Sequence, residues 1–281
     1  MSQIEDLVAA NRILAEHGVI DAYGHVSVRS EKNPTHYFLS QAIAPERVHE
    51  KDIIEYDLDS TPLDPNGRES VRERFIHGEI YKARPEIVAV VHNHSPSVVP
   101  FSLTDVPMRA VYHMAAFVGN GLPNFEIRDA QKGTDLLVKT AYLGEALAKV
   151  LGKHPAALMR GHGSVTVGET LPRAVGRSIY LEMSARMQMQ AMMIAGPGGK
   201  LAFIDDAEQA ASVPAQEYNR AWPLWRERAL AQIRAEKKSW NCPPIHLNAR
   251  LPSVSRKSAF GPVFRTVTAS KSSQGPATTG F

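Results

Sequence analysis

Val88-Ala89-Val90-Val91-His92-Asn93-His94 is an apolar run that closes on two histidines one residue apart. As a strand, its period of two sets Val90, His92 and His94 on one face, so both imidazoles project to the same side at its end. A third histidine stands in Met159-Arg160-Gly161-His162-Gly163, between two further apolar runs and with glycine on both sides. Three neutral imidazoles converging on one point supply what a divalent metal site with open positions requires. A lone histidine at a strand end is more often a hydrogen-bonded structural residue. The His-x-His pair on a β pattern, joined by a glycine-flanked third, favours the metal.

A cupin-like barrel also uses His-x-His but places a glutamate a few residues later; here Ser95-Pro96-Ser97-Val98-Val99-Pro100 follows. Upstream, residues 70 to 84 read as a helix, with Phe75, Ile76 and Ile80 along one side and Pro85 past its end. Its start, Ser70-Val71-Arg72-Glu73, matches a capping box, so Glu73 is either a helix cap or a catalytic acid/base. Further upstream, residues 3 to 17 form an amphipathic helix stopped by Gly18. Short β patterns follow at His25–Arg29, His36–Ser40 and Ile53–Leu58, with a turn at Asp64-Pro65-Asn66-Gly67. In the first, the valines face one way and His25, Ser27 and Arg29 the other.

Downstream, Val111–Met114 reads as a short strand and residues 134 to 151 as a helix closed by Gly152. Ala156–Met159 and Ser164–Val167 are β runs on either side of His162. Glu169-Thr170-Leu171-Pro172 opens a long helix whose Val175, Ile179, Met183 and Met187 recur every four residues, and its methionines are core or subunit-interface filler. Pro197-Gly198-Gly199 ends it. A last helix covers about 215 to 238, with Trp222, Trp225 and a kink at Pro223. Residues 1–200 are thus expected to form one α/β catalytic domain around a mostly antiparallel or mixed sheet. Residues 201–264 form a C-terminal helical arm and 265–281 a disordered tail.

Composition narrows the class. With 281 residues, 43% hydrophobic, 22% charged and a net charge of +3, the chain reads as globular, and no basic block interleaved with aromatics suggests nucleic acid. The single Cys242 excludes an intramolecular disulfide and any CxxC pair. Residues 1 to 17 lack a basic segment followed by an apolar core, and no run is long enough to span a bilayer, so no membrane partner and a cytoplasmic location are expected.

Taken in order, Gly24-His25-Val26-Ser27-Val28-Arg29, Glu73, Ala83-Arg84-Pro85, Val90-Val91-His92-Asn93-His94 and Gly161-His162-Gly163 resemble the class II aldolase/adducin family. The likeness covers roughly residues 3 to 195. It implies a three-layer αβα fold and a homotetramer with active sites in clefts between subunits. By the same likeness His92, His94 and His162 hold one divalent metal ion per subunit, and Glu73 is the acid/base. The C-terminal arm would reach a neighbouring cleft, with Trp222 or Trp225 as lining.

Departures from the sugar-phosphate members refine the expectation. Where they usually have Gly-Asn-Val/Ile-Ser, this chain has Gly24-His25-Val26-Ser27; where they have a Thr/Ser-Gly phosphate loop it has Ser40-Gln41-Ala42. Val71-Arg72 also replaces small hydroxyl residues before the glutamate. Such losses weaken a phosphate cradle. Together with the stretches 72–77, 112–117 and 159–163, the replacements resemble the branch that decarboxylates hydroxylated aromatic or pyridine carboxylates. Substrate contacts are then expected from His25, Ser27, Arg72 and His113, of which Arg72 is apt for a carboxylate. The expected reaction is metal-dependent, non-oxidative decarboxylation through a stabilised carbanion or enolate. Its first expected substrate is 3-hydroxy-2-methylpyridine-4,5-dicarboxylate of vitamin B6 degradation, with the dihydroxyphthalates next. Manganese is the metal this branch suggests and zinc the alternative. A sugar-phosphate aldolase or epimerase, and a non-catalytic adducin-like module, are the competing readings.

Overall fold

The β patterns become the strands β1 (His25–Arg29), β2 (His36–Ser40), β3 (Ile53–Asp57), β4 (Ala89–Asn93), β5 (Asn124–Phe125), β6 (Ala156–Met159) and β7 (Gly163–Gly168). In the computed structural model, which describes residues 2–212 and 218–240, they form one seven-stranded sheet in the order β3-β2-β1-β4-β7-β6-β5. Every neighbouring pair is antiparallel except β5 and β6. The helices are α1 (Gln3–Glu16), α2 (Arg74–Ala83), α3 (Ile127–Ala130), α4 (Ala141–Leu151), α5 (Leu171–Ala195), α6 (Asp206–Ser212) and α7 (Ala221–Trp240). None of the described helices is long and apolar enough to cross a membrane.

Two cores sandwich the sheet. Ala89 and Val91 of β4 join Leu7, Ile13 and Leu14 of α1, Val175 and Ile179 of α5, and Leu230 and Ile233 of α7. Val90, one residue out of phase, joins Ile76 and Ile80 of α2 and Leu143 and Leu147 of α4. Burial of each large aliphatic side chain is worth about 1.5–3 kcal/mol. A one-residue slip of β4 would forfeit several of these burials and turn His92 to the opposite layer, so the cores hold the histidine register.

Local chemistry sets the helix ends. Ser2 caps α1 by accepting the Glu5 N–H, and Thr170 caps α5 by accepting the Arg173 N–H. Helix α2 begins at Arg74 rather than at 70, which corrects the capping box. The Ser70 hydroxyl instead accepts from Tyr56 OH at 3.0 Å, and Glu73 sits at the N-cap position without a side-chain cap bond. Helix α4 begins at Ala141, seven residues later than the apolar spacing predicts, because Thr140 caps it and Leu136 takes φ +70°. Residues 113–118 form a 3-10 helix where a strand was expected, packed through Phe117 against Leu181 and Ala185 of α5. Pro223 lies in the first turn of α7, where its missing N–H has no helical acceptor to lose, so no kink arises there.

Helix α7 lies along α1. Arg226 bonds Glu5 and Asp6 at 2.6 Å each, and Arg12 bonds Glu236 at 2.8 Å. Trp222 and Trp225 are partly buried against the same core, and the Trp225 ring meets His17 edge-on at 5.1 Å. Both tryptophans therefore pack within their own subunit. Residues 241–264 of the expected arm and the expected tail at 265–281 lie outside the described residues.

Candidate metal centre

Three chain segments bring the histidines together. His92 is on β4 on the face that carries Val90, and His94 follows directly after the strand. His162 is carried by the turn between β6 and β7, where the flanking glycines have distinct tasks. Gly161 takes φ +63°, a conformation that disfavours other residues. A Cβ on Gly163 would overlap the Asn93 carbonyl, so only glycine lets β7 approach β4 here.

Each imidazole is oriented by an acceptor on its outer nitrogen. His92 Nδ1 faces the Ser164 carbonyl at 3.2 Å, His94 Nδ1 the Asp21 carboxylate at 3.2 Å, and His162 Nδ1 the Leu136 carbonyl at 2.9 Å. Such acceptors require the proton on Nδ1, which leaves a lone pair on every Nε2. Those inner nitrogens converge: His94 and His162 Nε2 are 3.2 Å apart, and Glu73 Oε2 is 3.6 Å from His92 Nε2 and 3.5 Å from His162 Nε2. The four donor atoms all lie within 4.8 Å of one another.

Facing lone pairs repel, and His92 Nε2 is buried without any hydrogen-bond partner. A cation resolves both problems. Three imidazole nitrogens suit zinc, and manganese accepts mixed nitrogen and oxygen ligation.

Glu73 is 7% exposed, and its Oε1 accepts the Val138 N–H at 2.8 Å. Burial by itself would raise its carboxyl, but His92, His162 and the Val138 N–H hold it down to about 2. Burial and the neighbouring His92 bring His162 down to about 4, and the same two causes lower His94. At neutral pH the cluster thus sets the Glu73 carboxylate against the uncharged imidazoles of His94 and His162. The irregular stretch before α4 now has its reason: it delivers the Leu136 carbonyl to His162 and the Val138 N–H to Glu73.

Residues 5–189 match the family Class II Aldolase and Adducin N-terminal domain. The chain belongs to this family. Its relatives include "Decarboxylase tropJ" of Talaromyces stipitatus, 33% identical over 79% of this chain and 92% of that protein. Another is "3,4-dihydroxyphthalate decarboxylase" of Arthrobacter keyseri, 28% identical over 73% of this chain and 84% of that protein. Among solved structures, the L-fuculose 1-phosphate aldolase of Glaciozyma antarctica PI12 aligns with a TM-score of 0.65 at 24% identity, over 84% of this chain and 90% of that one, which supports the fold. The relatives are decarboxylases and aldolases, both lyases; class II aldolases use a divalent metal, and Glu73, His92, His94 and His162 are a donor set that could bind one.

Within this class II aldolase framework, the expected substrate contacts separate. Ser27 is fully buried, its hydroxyl held between His77 Nδ1 at 2.6 Å and Tyr81 OH at 2.8 Å. His25 is 3% exposed, its Nδ1 2.7 Å from His77 Nε2 and its ring 5.1 Å from that of His92. Both are thus buried behind the cluster and bonded to side chains of α2. Arg72 is exposed beside Glu73 and has no ion-pair partner among the described residues. His113 is exposed, edge-on to Tyr112 at 4.9 Å, in the segment packed on α5, the layer opposite to the one His92 faces.

Sequence reasoning missed Asp21, His77 and Tyr81. The last two were detectable, because Glu73, His77 and Tyr81 recur at four-residue intervals and so share one stripe of α2. The Ser40-Gln41-Ala42 segment is also informative. The amides of Gln41, Ala42 and Ile43 donate to the carbonyls of Asp52, Glu69 and Gln41 at 2.7, 2.8 and 2.7 Å, and Gln41 Nε2 donates to Asp52 Oδ1 at 2.6 Å. No open nest of amides is left there for a phosphate.

Proposed function

We propose that this chain is a metal-dependent, non-oxidative decarboxylase of a ring carboxylate with a hydroxyl on the adjacent carbon. The first candidate substrate is 3-hydroxy-2-methylpyridine-4,5-dicarboxylate, and the dihydroxyphthalates follow. One observation carries the choice over a sugar phosphate. The acid/base carboxylate and three histidines are all present, while the amides at 41–43 are spent on internal carbonyls. The relatives named as decarboxylases support the same reaction class.

His92, His94 and His162 would hold the metal, which when bound supplies Lewis acidity toward the substrate's oxygens. Glu73, a carboxylate at neutral pH, accepts the proton of the ring hydroxyl at Oε2. As the bond to the carboxyl carbon breaks, carbon dioxide leaves and the electron pair stays on the ring carbon, which the same oxygen then protonates. Its Oε1 stays anchored on the Val138 N–H, so the proton-carrying oxygen keeps its position. Arg72, charged and exposed at the mouth, binds the second carboxylate. One manganese ion per subunit, a homotetramer with active sites between subunits, and a cytoplasmic location belong to the same proposal, with His113 approaching a neighbour's cleft.

The test offers the metal-reconstituted protein hydroxypyridine dicarboxylates, dihydroxyphthalates, and fuculose and ribulose phosphates. Carbon dioxide release from a ring substrate, abolished by chelation, is the expected outcome. Aldehyde from a sugar phosphate without carbon dioxide release would replace the proposal with an aldolase, and a protein that takes up no metal would favour a non-catalytic module.

A further inference from the structure

Behind the metal centre, His25, His77, Ser27 and Tyr81 form one buried hydrogen-bonded row, with Tyr81 OH also 3.3 Å from the Val88 carbonyl. The row starts beside His92, the cross-strand partner of His25 in the β1–β4 ladder. His25 Nε2 is buried and has no hydrogen-bond partner.

Two polarities are self-consistent, and they contain the same number of protons. In one, Tyr81 donates to Val88, Ser27 to Tyr81, His77 Nδ1–H to Ser27 and His25 Nδ1–H to His77, so His25 Nε2 is left with a lone pair. In the other, Tyr81 donates to Ser27, Ser27 to His77, and His77 Nε2–H to His25, which strands a buried N–H on His25. The second polarity makes one bond fewer. It also leaves an unsatisfied donor, which proteins avoid more strictly than an unsatisfied acceptor. Val88 does not alter the balance, since its carbonyl already accepts the Arg29 N–H at 2.7 Å.

We propose that Tyr81 is a positioning residue for the metal centre: acting through Ser27 and His77, it fixes His25 with the Nε2 lone pair, the negative end of the ring dipole, beside His92, and so favours a cation in the cluster. The proposal rests on the cluster being a cation site. Tyr81→Phe removes the acceptor of the Ser27 hydroxyl. The first polarity then keeps two bonds and strands the Ser27 hydroxyl, the second keeps two and strands the His25 N–H, so the variant loses its preference for the lone pair beside the metal ligands.

The experiment uses the full chain with 15N-labelled histidine. In the metal-free protein, two-bond proton–nitrogen spectra should show His25 and His77 protonated on Nδ1 in the wild type and distributed between Nδ1 and Nε2 in Tyr81→Phe. Zinc ion alone, titrated against a competing chelator, should bind the variant about twofold more weakly, by the fraction of chains that lose the lone pair. In a Ser27→Ala background, where the row is already cut, adding Tyr81→Phe should leave zinc affinity unchanged. Unchanged tautomers in Tyr81→Phe, or an equal affinity loss in both backgrounds, overturn the proposal while leaving the cation site intact. A wild-type chain that binds no zinc overturns the cation site and the proposal with it.

Discussion

Glu73→Gln separates charge from shape at the centre of the site. The amide oxygen can still accept the Val138 N–H that Glu73 Oε1 accepts at 2.8 Å, so the backbone before α4 keeps its anchor. What disappears is the negative charge beside His92 and His162 and the capacity of Oε2 to carry a proton. General acid–base groups contribute about a hundred- to ten-thousandfold to rate, or about 3–5 kcal/mol of barrier, and turnover should fall by that factor. Stability should respond as well. The carboxyl is held at about 2 against an ordinary 4.5, so it contributes stability that is complete above pH 4.5 and is lost as pH falls toward 2. Urea unfolding of the two metal-free proteins at pH 7, metal content after reconstitution, and carbon dioxide release from a ring substrate make the assay. Full turnover by Glu73→Gln with metal bound would refute the proton-carrying role; loss of metal together with turnover would make Glu73 a ligand first.

His92→Ala and His162→Ala should each abolish both bound metal and turnover, read by metal analysis after gel filtration. Burial and then His92 hold His77 at about 3 against an ordinary 6.5, so the folded state excludes its proton. The metal-free protein should therefore lose up to about 5 kcal/mol as pH falls from 6.5 toward 3, and His77→Gln should flatten that slope in acid unfolding. Gly163→Ala forces a methyl onto the Asn93 carbonyl and should cost about 3 kcal/mol in urea unfolding, with loss of metal because β4 and β7 separate at the site. Arg72→Ala should raise KM for a dicarboxylate with little change in kcat and leave KM for a monocarboxylate nearly unchanged, which steady-state kinetics checks.

Much of the fold was legible because β patterns are local. The alternation in His25–Arg29 and Val88–His94 marks which side chains face which layer, and both strands are found there with the expected faces. Errors gathered where a local signal competes with a distant partner. Ser70 looks like a cap in sequence, but Tyr56 claims its hydroxyl. Leu136 and Leu137 look helical, but the chain there is drawn out of the helix to serve His162 and Glu73. His25 and Ser27 are polar on a strand face, and the polar stripe of α2 covers them.

The amino-acid sequence by itself determined the donor types and the side of the sheet on which they emerge, since residue identity and a period of two suffice for both. Only the tertiary structure decided which nitrogen of each histidine faces inward, and that Glu73 joins them instead of capping its helix. Those outcomes depend on the Ser164 and Leu136 carbonyls, the Asp21 carboxylate and the Val138 amide. Each of these partners lies 26 to 73 residues away along the chain, at separations where sequence spacing carries no information and only packing brings the groups within hydrogen-bond reach.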